Sequence, residues 1–219
     1  MTWLALYALI VRAALPFALL KLWWRGRREP GYRRHVEERF GEYRLAAERP
    51  VIWLHTVSVG EARAAAPLVR ALQREYEDHQ LLLTCMTAAG RDTLRQLHGE
   101  SVLAAWLPYD YPGAARRFLE HFRPRLGILM ETEIWPVLLA VCKEYGVPVL
   151  LANARLSARS AAGYARWSAL ARPAFARLAA VCAQTDADAA RLAAVGAPQP
   201  RVTGNLKFDV LPDAAQVDA

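Results

Sequence analysis

Short apolar runs alternate with amphipathic stretches along most of the chain between residues 50 and 203. Short apolar runs are typical of buried strands, and apolar positions at a spacing of three or four residues are typical of helices. The predicted strands are Val51–Thr56, Leu81–Thr87, Val102–Leu107, Leu126–Met130, Val147–Ala152, Ala179–Gln184 and Arg201–Thr203. The predicted helices are Glu61–Tyr76, Ala88–Leu97, Pro112–Phe122, Trp135–Tyr145, Ser160–Arg177 and Asp186–Val195. This alternation predicts an α/β fold, a Rossmann-like parallel sheet with helices on both faces.

The apolar run at the N-terminus, Trp3–Trp24, is long enough to cross a bilayer. Arg12 and Pro16 interrupt it, and an arginine at the centre of a spanning helix costs about 2.5–3.5 kcal/mol on insertion scales. Residues 1–25 are therefore predicted to form a membrane anchor that either spans weakly or lies in the interface. A buried helix of a soluble domain is the alternative. The flanks of the run do not resemble those of a cleaved signal peptide.

Basic residues follow this run, in a chain with a formal net charge of +7 and a pI of about 9.7. Residues 26–49 are predicted to form a basic helical connector. The cations around the end of the apolar run are Lys21, Arg25, Arg27, Arg28, Arg33 and Arg34, and they outweigh Glu29. Such a flank favours the cytoplasmic face of a membrane and anionic lipids as partners. Zinc-finger spacing and RNA-binding aromatic motifs do not occur in the sequence, so nucleic acid is not an expected partner.

Polar residues follow several of the predicted strands, where the strands end. They are Glu61 after the first strand, Glu131 and Glu133 after the fourth, Asn153, Arg155 and Ser157 after the fifth, and Asn205 and Lys207 after the last. The carboxyl ends of parallel strands meet at one edge of a sheet, so these groups are expected to line a common crevice.

Each of these residues also has a structural explanation. An acid such as Glu61 in the first turn of a helix is favoured by about 0.3–1 kcal/mol whatever the protein does, because the helix N-terminus is positive. Ser58 and Ser157 are candidate helix caps. Glycine-rich phosphate-binding motifs do not follow any predicted strand, which disfavours a soluble nucleotide-binding protein. The cysteines, Cys85, Cys142 and Cys182, have no paired or metal-ligand spacing and are predicted to be reduced thiols in apolar surroundings.

Five ordered motifs carry a family resemblance. They are HTVSVGE at 55–61, METEIWP at 130–136, NARLS at 153–157 with Ser160 and Tyr164 after it, a Q-T-D-D-A-R-L-G pattern between Gln184 and Gly196, and GNLKFD at 204–209. In this order they resemble the N-terminal half of the 3-deoxy-D-manno-octulosonate (Kdo) transferases. The resemblance covers essentially the whole chain. It implies the acceptor half of a two-domain glycosyltransferase of the B type.

The resemblance also implies a reaction, the inverting transfer of Kdo from CMP-Kdo to the lipid A precursor, lipid IVA, at the bacterial inner membrane. Glu61 is then the general base, which the helix N-terminus should help to keep ionised, and Glu131 and Lys207 stabilise the transition state. The expected acceptor contacts are Ser58, Gly60, Glu133 and Asn205, together with Arg155, Ser157 and Ser160. These last three are assigned because Arg and Ser side chains suit phosphate oxygens, more than from the family. Neither a metal nor another cofactor is expected.

Two departures from the family pattern are visible. Val137 stands where the family usually has asparagine, and the sequence ends soon after GNLKFD. Residues 50–210 are therefore predicted to be the acceptor domain and residues 211–219 part of a truncated interdomain linker, with the donor-binding C-terminal domain absent. Such a chain is expected to have negligible activity alone. The alternative function is a non-catalytic, membrane-associated acceptor-binding module.

Overall fold

The computed structural model describes residues 2–209, and over this range it contains one seven-stranded sheet with every pair of neighbouring strands parallel. The strands are β1 Val51–His55, β2 Gln80–Cys85, β3 Leu103–Trp106, β4 Leu126–Met130, β5 Val149–Ala154, β6 Ala180–Ala183 and β7 Arg201–Val202. The α-helices are α1 Trp3–Arg25, α2 Val59–Glu75, α3 Ala88–His98, α4 Pro112–Phe122, α5 Pro136–Glu144, α6 Ala158–Arg166, α7 Ser168–Phe175 and α8 Asp186–Ala194. The predicted fold is confirmed, whereas residue 210 and the predicted linker 211–219 lie outside the described residues.

The core lies in two layers, one on each face of the sheet, because β1 and its neighbours are apolar on both faces. Trp53 of β1 is fully buried and packs edge-to-face on Phe118 of α4, with ring centroids 5.1 Å apart. Gly127 of the neighbouring β4 leaves room for this indole, since a Cβ there would lie 2.8 Å from the Trp53 ring. The close approach of β1 and β4 therefore depends on that glycine.

The strand order is β3-β2-β1-β4-β5-β6-β7, so the order reverses between β1 and β4. At such a switch point the chain leaves the two neighbouring strands toward opposite faces, which opens a crevice at their carboxyl ends. The segments that follow β1 and β4 carry Glu61, Glu131 and Glu133. The topology thus places these three acids at the edge where a doubly wound sheet binds its ligands.

The predicted helix Ser160–Arg177 is wrong as a single element. The structure divides it into α6 and α7 at Trp167, whose ψ of 33° is not helical. The two halves pack on different neighbours, since α6 contacts α8 and α7 contacts α5. An amphipathic pattern does not reveal such a change of packing partner, which is why the sequence predicts one continuous helix.

The predicted helical connector, residues 26–49, also differs from the structure. It contains two short 3-10 helices, Pro30–Arg33 and Val36–Phe40, and is irregular from Glu42 onward. Glu38 is buried and receives hydrogen bonds from the guanidinium of Arg91 in α3, at 2.8 and 2.9 Å, and from the backbone N–H of Trp106, at 2.8 Å. These tertiary contacts hold the connector against the sheet and replace the regular hydrogen bonds of an α-helix.

The first helix, α1, is long and apolar enough to cross a membrane by length and composition. Thr2 caps it, accepting a hydrogen bond from the N–H of Ala5 at 3.2 Å. This helix lies where the sequence predicts the anchor, whose membrane location stays a prediction.

Candidate functional site

Glu61 lies in the first turn of α2, directly after β1. Its Oε2 accepts a hydrogen bond from the backbone N–H of Val57 at 2.9 Å, and its Oε1 accepts one from the hydroxyl of Ser58 at 3.2 Å. Ser58 occupies the N-cap position, but its hydroxyl makes no capping bond to a backbone N–H, which corrects its predicted role as a cap. The charged carboxylate is the stronger acceptor at a helix N-terminus and takes up both donors.

The helix N-terminus was expected to keep Glu61 ionised, but burial has the larger effect on its pKa. The carboxyl is half-buried, and this burial raises its pKa above the ordinary value for glutamate. The Val57 N–H opposes the rise, whereas the charge of Glu131 adds to it. A carboxylate with a raised pKa binds a proton more strongly, which makes it a better base as long as it stays ionised.

Glu131 and Glu133 follow β4 and complete the acidic cluster, which we define as Glu61, Glu131 and Glu133. Glu131 has a left-handed backbone, with φ 56°, and accepts a hydrogen bond from Arg155 Nε at 3.1 Å. Burial, together with the charges of Glu61 and Glu131, raises the pKa of Glu133 to about 7. Near neutral pH the cluster therefore holds fewer than three negative charges, and one guanidinium offsets part of them.

The carboxyl ends of β5 and β6 bring the last motif to the same edge. Asn153 has φ 51° and lies in an irregularity of β5, where one extra residue opposes β6. Its Oδ1 accepts a hydrogen bond from the backbone N–H of Leu206 at 3.1 Å, and Asn205 donates to the side chain of Gln184, also at 3.1 Å. The chain after β7 is thereby led back over the ends of β6 and β5, and its 3-10 helix Leu206–Asp209 contacts α2.

The other predicted site residues are more exposed. Lys207 is exposed on the returning segment and forms no ion pair with the described residues. Gly60 is exposed beside Glu61, and a Cβ there would meet only the Ser58 hydroxyl, at 3.9 Å. Ser157 caps α6 by accepting from the Ser160 N–H at 3.1 Å, and the two hydroxyls are 3.0 Å apart.

Several buried polar groups lie at this edge, and sequence reasoning gave a role only to Asn153, as a crevice residue. His55 Nε2, Thr56 Oγ1 and Asn153 Nδ2 have no hydrogen-bond partner among residues 2–209, although such groups are usually paired. Complete burial lowers the pKa of His55 to about 3, so its ring is neutral at physiological pH. The signal was present, because His55 opens the HTVSVGE motif, but the apolar strand before it made a core position equally reasonable.

An apolar pocket of about 450 Å³ opens beside the acidic cluster. It lies between the start of α1, the N-terminus of α5 and the helices α6 and α7. Its lining residues are Tyr7, Ile134, Pro136, Ser160, Gly163, Tyr164, Trp167, Leu170 and Ala171. A wider cleft of about 960 Å³ lies at the opposite edge of the sheet, near Pro50 and Arg125, and is remote from the acids.

Within the described part of the chain, no three His, Cys, Asp or Glu side chains come together in a way that could hold a metal ion. Cys85, Cys142 and Cys182 are free thiols, the first two of them buried.

Comparison with known proteins assigns the chain to a family. The model of the family described as 3-deoxy-D-manno-octulosonic-acid transferase (kdotransferase) matches residues 34–210. The chain belongs to the Kdo transferase family. A 3-deoxy-D-manno-octulosonic acid transferase of Bordetella pertussis is 46% identical over 95% of this chain. The Haemophilus influenzae protein of the same name is 35% identical, also over 95% of this chain. The match spans 50% of each of these two Kdo transferases, so the chain has about half their length.

Solved structures of other proteins share the fold of this Kdo transferase chain. The S. aureus MnaA-UDP co-structure has a TM-score of 0.55 at 16% identity, and covers 76% of this chain and 48% of its own. A putative UDP-N-acetylglucosamine 2-epimerase from Listeria monocytogenes has a TM-score of 0.54 at 16% identity, with 74% and 47% covered. At this identity the likeness shows the fold alone.

Proposed function

We propose that the chain is the acceptor-binding half of a Kdo transferase that moves Kdo from CMP-Kdo to a hydroxyl of the lipid A precursor, lipid IVA. Family membership supports the reaction. The observation that carries the assignment of residues is the acidic cluster at the switch point of the sheet, which includes the half-buried Glu61. The donor CMP-Kdo is proposed to bind to a second half, since the two relatives are about twice as long as this chain.

In the proposed step, Glu61 accepts the proton of the acceptor hydroxyl while that oxygen bonds to the anomeric carbon of Kdo. The bond from this carbon to the phosphate oxygen breaks, and CMP leaves with the electron pair. The attack comes from the face opposite to CMP, so the anomeric configuration inverts. The raised pKa of Glu61 supports this role, since a base is most effective when its pKa approaches the working pH.

Glu131 and Lys207 are proposed to stabilise the transition state. Positive charge develops on the sugar ring as CMP departs, and the carboxylate of Glu131, held by Arg155 at 3.1 Å, can offset it. The exposed ammonium of Lys207 lies on the segment that contacts α2, where it can offset the negative charge of CMP or of the Kdo carboxylate. No metal or other cofactor enters the proposal.

The acceptor is proposed to lie across the acidic cluster and the apolar pocket. The pocket of about 450 Å³ provides apolar surface for part of an acyl chain, and Ser160 is on its rim. Arg155, 59% exposed at its side chain, is proposed to bind an acceptor phosphate. The remaining proposed acceptor contacts are Ser58, Gly60, Glu133, Ser157 and Asn205.

A membrane location is part of the same proposal. An acceptor with acyl chains remains in the bilayer, so the enzyme has to work at the membrane surface. The apolar α1 and the cations after it support an inner-membrane location, with the catalytic domain on the cytoplasmic face and anionic lipids as partners. Nucleic acid is not proposed as a partner.

The test is a Glu61→Gln substitution in the chain joined to the second half of the Bordetella pertussis relative. Glutamine keeps an oxygen for the Val57 N–H but cannot accept the proton. We expect turnover of CMP-Kdo and lipid IVA to fall by about 10²–10⁴-fold, with acceptor affinity unchanged. The chain without a second half is the negative control, and we expect negligible turnover from it. Equal turnover by the parent and Glu61→Gln fusions would contradict the base assignment.

A non-catalytic acceptor-binding module is the second candidate, because both carboxylate oxygens of Glu61 are used within the protein. In that case Glu61 only closes the start of α2. The module predicts that the fusion shows no turnover, that the chain binds lipid IVA, and that Glu61→Gln leaves this binding unchanged.

A further inference from the structure

The N-terminal helix has two different sides in the structure. Half-buried positions recur at alternating steps of four and three residues along its whole length, at Leu4, Ala8, Val11, Leu15, Ala18 and Leu22. This spacing places them on one side of a helix. Large apolar residues on the other side are between 57% and 74% exposed, namely Leu9, Ile10, Phe17, Leu20 and Trp24. One side of α1 is therefore less exposed than the other along the helix, and no residue of α1 is fully buried.

The first turns of α1 are attached to the body of the protein. Leu4, Tyr7 and Ala8 pack against the core layer that includes α5 and α7, and α1 contacts both helices. The hydroxyl of Tyr7 approaches the carboxylate of Asp110, which is only 3% exposed. This attachment lies at the carboxyl edge of the sheet, because Asp110 follows β3 and its carboxylate accepts hydrogen bonds from the first N–H groups of α5.

The last turns of α1 are attached as well. Leu22 packs against the other core layer, and Arg25 lies over the ring of Tyr32, with its guanidinium carbon 4.8 Å from the ring centroid. Tyr32 is 2% exposed and stacks on Trp106 at the end of β3. Arg33 also donates a hydrogen bond to the backbone carbonyl of Trp23 at 2.7 Å. The short segment after α1 thus anchors its C-terminal end in the core.

Two attached ends restrict how α1 can meet a bilayer. A helix of 23 residues is about 35 Å long, and the hydrocarbon core of a bilayer is about 30 Å thick. A helix that crosses this core has one end on the far side, out of reach of a body that stays in water. We infer that α1 does not span but lies in the plane of the membrane surface, strapped to the body at both ends, with its exposed apolar side embedded in one leaflet.

The charges near α1 fit an anionic lipid surface as the partner. Arg12 and Lys21 are exposed, and each adjoins a half-buried position, which places it on a flank of the helix within reach of lipid head groups. Arg27 and Arg28 lie over the rings of Trp23 and Trp24, a combination suited to the membrane interface. In this orientation Arg12 avoids the cost of lying at the centre of the hydrocarbon. The inference rests on α1 alone and is independent of the proposed sugar transfer.

The two orientations predict different sides of the membrane for the N-terminus. Thr2→Cys and, on the body, Arg63→Cys are each placed in a Cys182→Ser background and labelled with a membrane-impermeant maleimide. We expect both cysteines to react in inverted inner-membrane vesicles and neither to react in intact spheroplasts. Labelling of Thr2→Cys in spheroplasts, or from neither side, overturns the inference. Labelling of the Cys182→Ser parent measures the background from the buried Cys85 and Cys142.

A second measurement tests the embedded side. Phe17→Glu places a charge on it, whereas Tyr76→Glu places one on an exposed aromatic at the end of α2, on the opposite edge of the sheet. Binding of each purified variant to vesicles of phosphatidylethanolamine and phosphatidylglycerol is measured by flotation, with folding checked by circular dichroism. We expect Phe17→Glu to weaken binding at least about tenfold and Tyr76→Glu to leave it unchanged. Unchanged binding by Phe17→Glu contradicts the inference.

Discussion

At the scale of single residues, environment separates three glutamates of the same ordinary acidity. Glu131 is paired with Arg155, Glu61 is hydrogen-bonded to the start of α2, and Glu133 is partly buried near two other acids. Burial favours the neutral form of a carboxyl group, and so does a nearby negative charge. Glu133 consequently holds a proton up to a pH at which an ordinary glutamate is fully ionised.

This predicts a pH-dependent stability change for Glu133→Gln. Since the pKa of Glu133 is about 7 in the folded protein and has an ordinary value of 4.5, the folded state binds more protons than the unfolded state between these values. The carboxyl group of Glu133 therefore does not lower the free energy of unfolding below pH 4.5, and it lowers it increasingly as the pH rises to 7. We compare the free energy of unfolding of Glu133→Gln with that of the parent. Because the site is partly solvated, we expect this difference to be about 1–3 kcal/mol more favourable to the variant at pH 8 than at pH 4.

Urea unfolding of the parent and the variant between pH 4 and 8 measures this gain. Glu100→Gln, at an exposed glutamate remote from the cluster, is the matched control and is expected to show no such trend. A difference between Glu133→Gln and the parent that is constant across this range would contradict the assigned pKa.

At the scale of elements, tertiary contacts define several ends that local sequence does not. The start of α5 is closed by Asp110, which lies 26 residues before Pro136 in the chain. Its Oδ1 accepts from the Leu138 N–H at 2.7 Å and its Oδ2 from the Val137 N–H at 3.2 Å. At Val137, the position where the family usually has asparagine, Asp110 binds the backbone N–H and not the side chain. The different side chain there therefore leaves the closure of α5 intact.

Asp110→Asn should destabilise the protein by about 1–3 kcal/mol, because the amide keeps one acceptor and turns an N–H donor toward a second donor. Ser157→Ala removes the exposed cap of α6 and is the comparison, with an expected loss of about 1 kcal/mol. Thermal or urea unfolding measures both. A smaller loss for Asp110→Asn than for Ser157→Ala would show that the buried carboxylate contributes little to α5.

At the scale of the whole molecule, the apolar pocket combines four helices and adjoins the acidic cluster. Gly163 of α6 lines it, and a Cβ at this position meets nothing within 4 Å. Gly163→Leu should therefore fill the pocket without strain and raise stability by about 0.5–1 kcal/mol, because glycine is unfavourable within a helix. We expect affinity for lipid IVA to fall at least about tenfold, and affinity for its deacylated analogue to stay the same.

Calorimetric titration with the two ligands measures this difference. Ala162→Leu, on the exposed side of the same helix, is the matched control and should bind both ligands as the parent does. Unchanged affinity of Gly163→Leu for lipid IVA would exclude the pocket as an acyl-chain site.

The sequence by itself determined the sheet, most of its helices and the edge at which the candidate residues lie. Periodicity reports which positions are buried, and parallel strands place all their carboxyl ends on one side, so Glu61 and Glu131 were predictable neighbours. Only the tertiary structure decided that Glu61 is half-buried and hydrogen-bonded, that the buried Glu38 fixes the connector against the sheet, and that both ends of α1 contact the body. These properties depend on contacts between residues far apart in the chain, and a local pattern of apolar and polar positions does not contain that information.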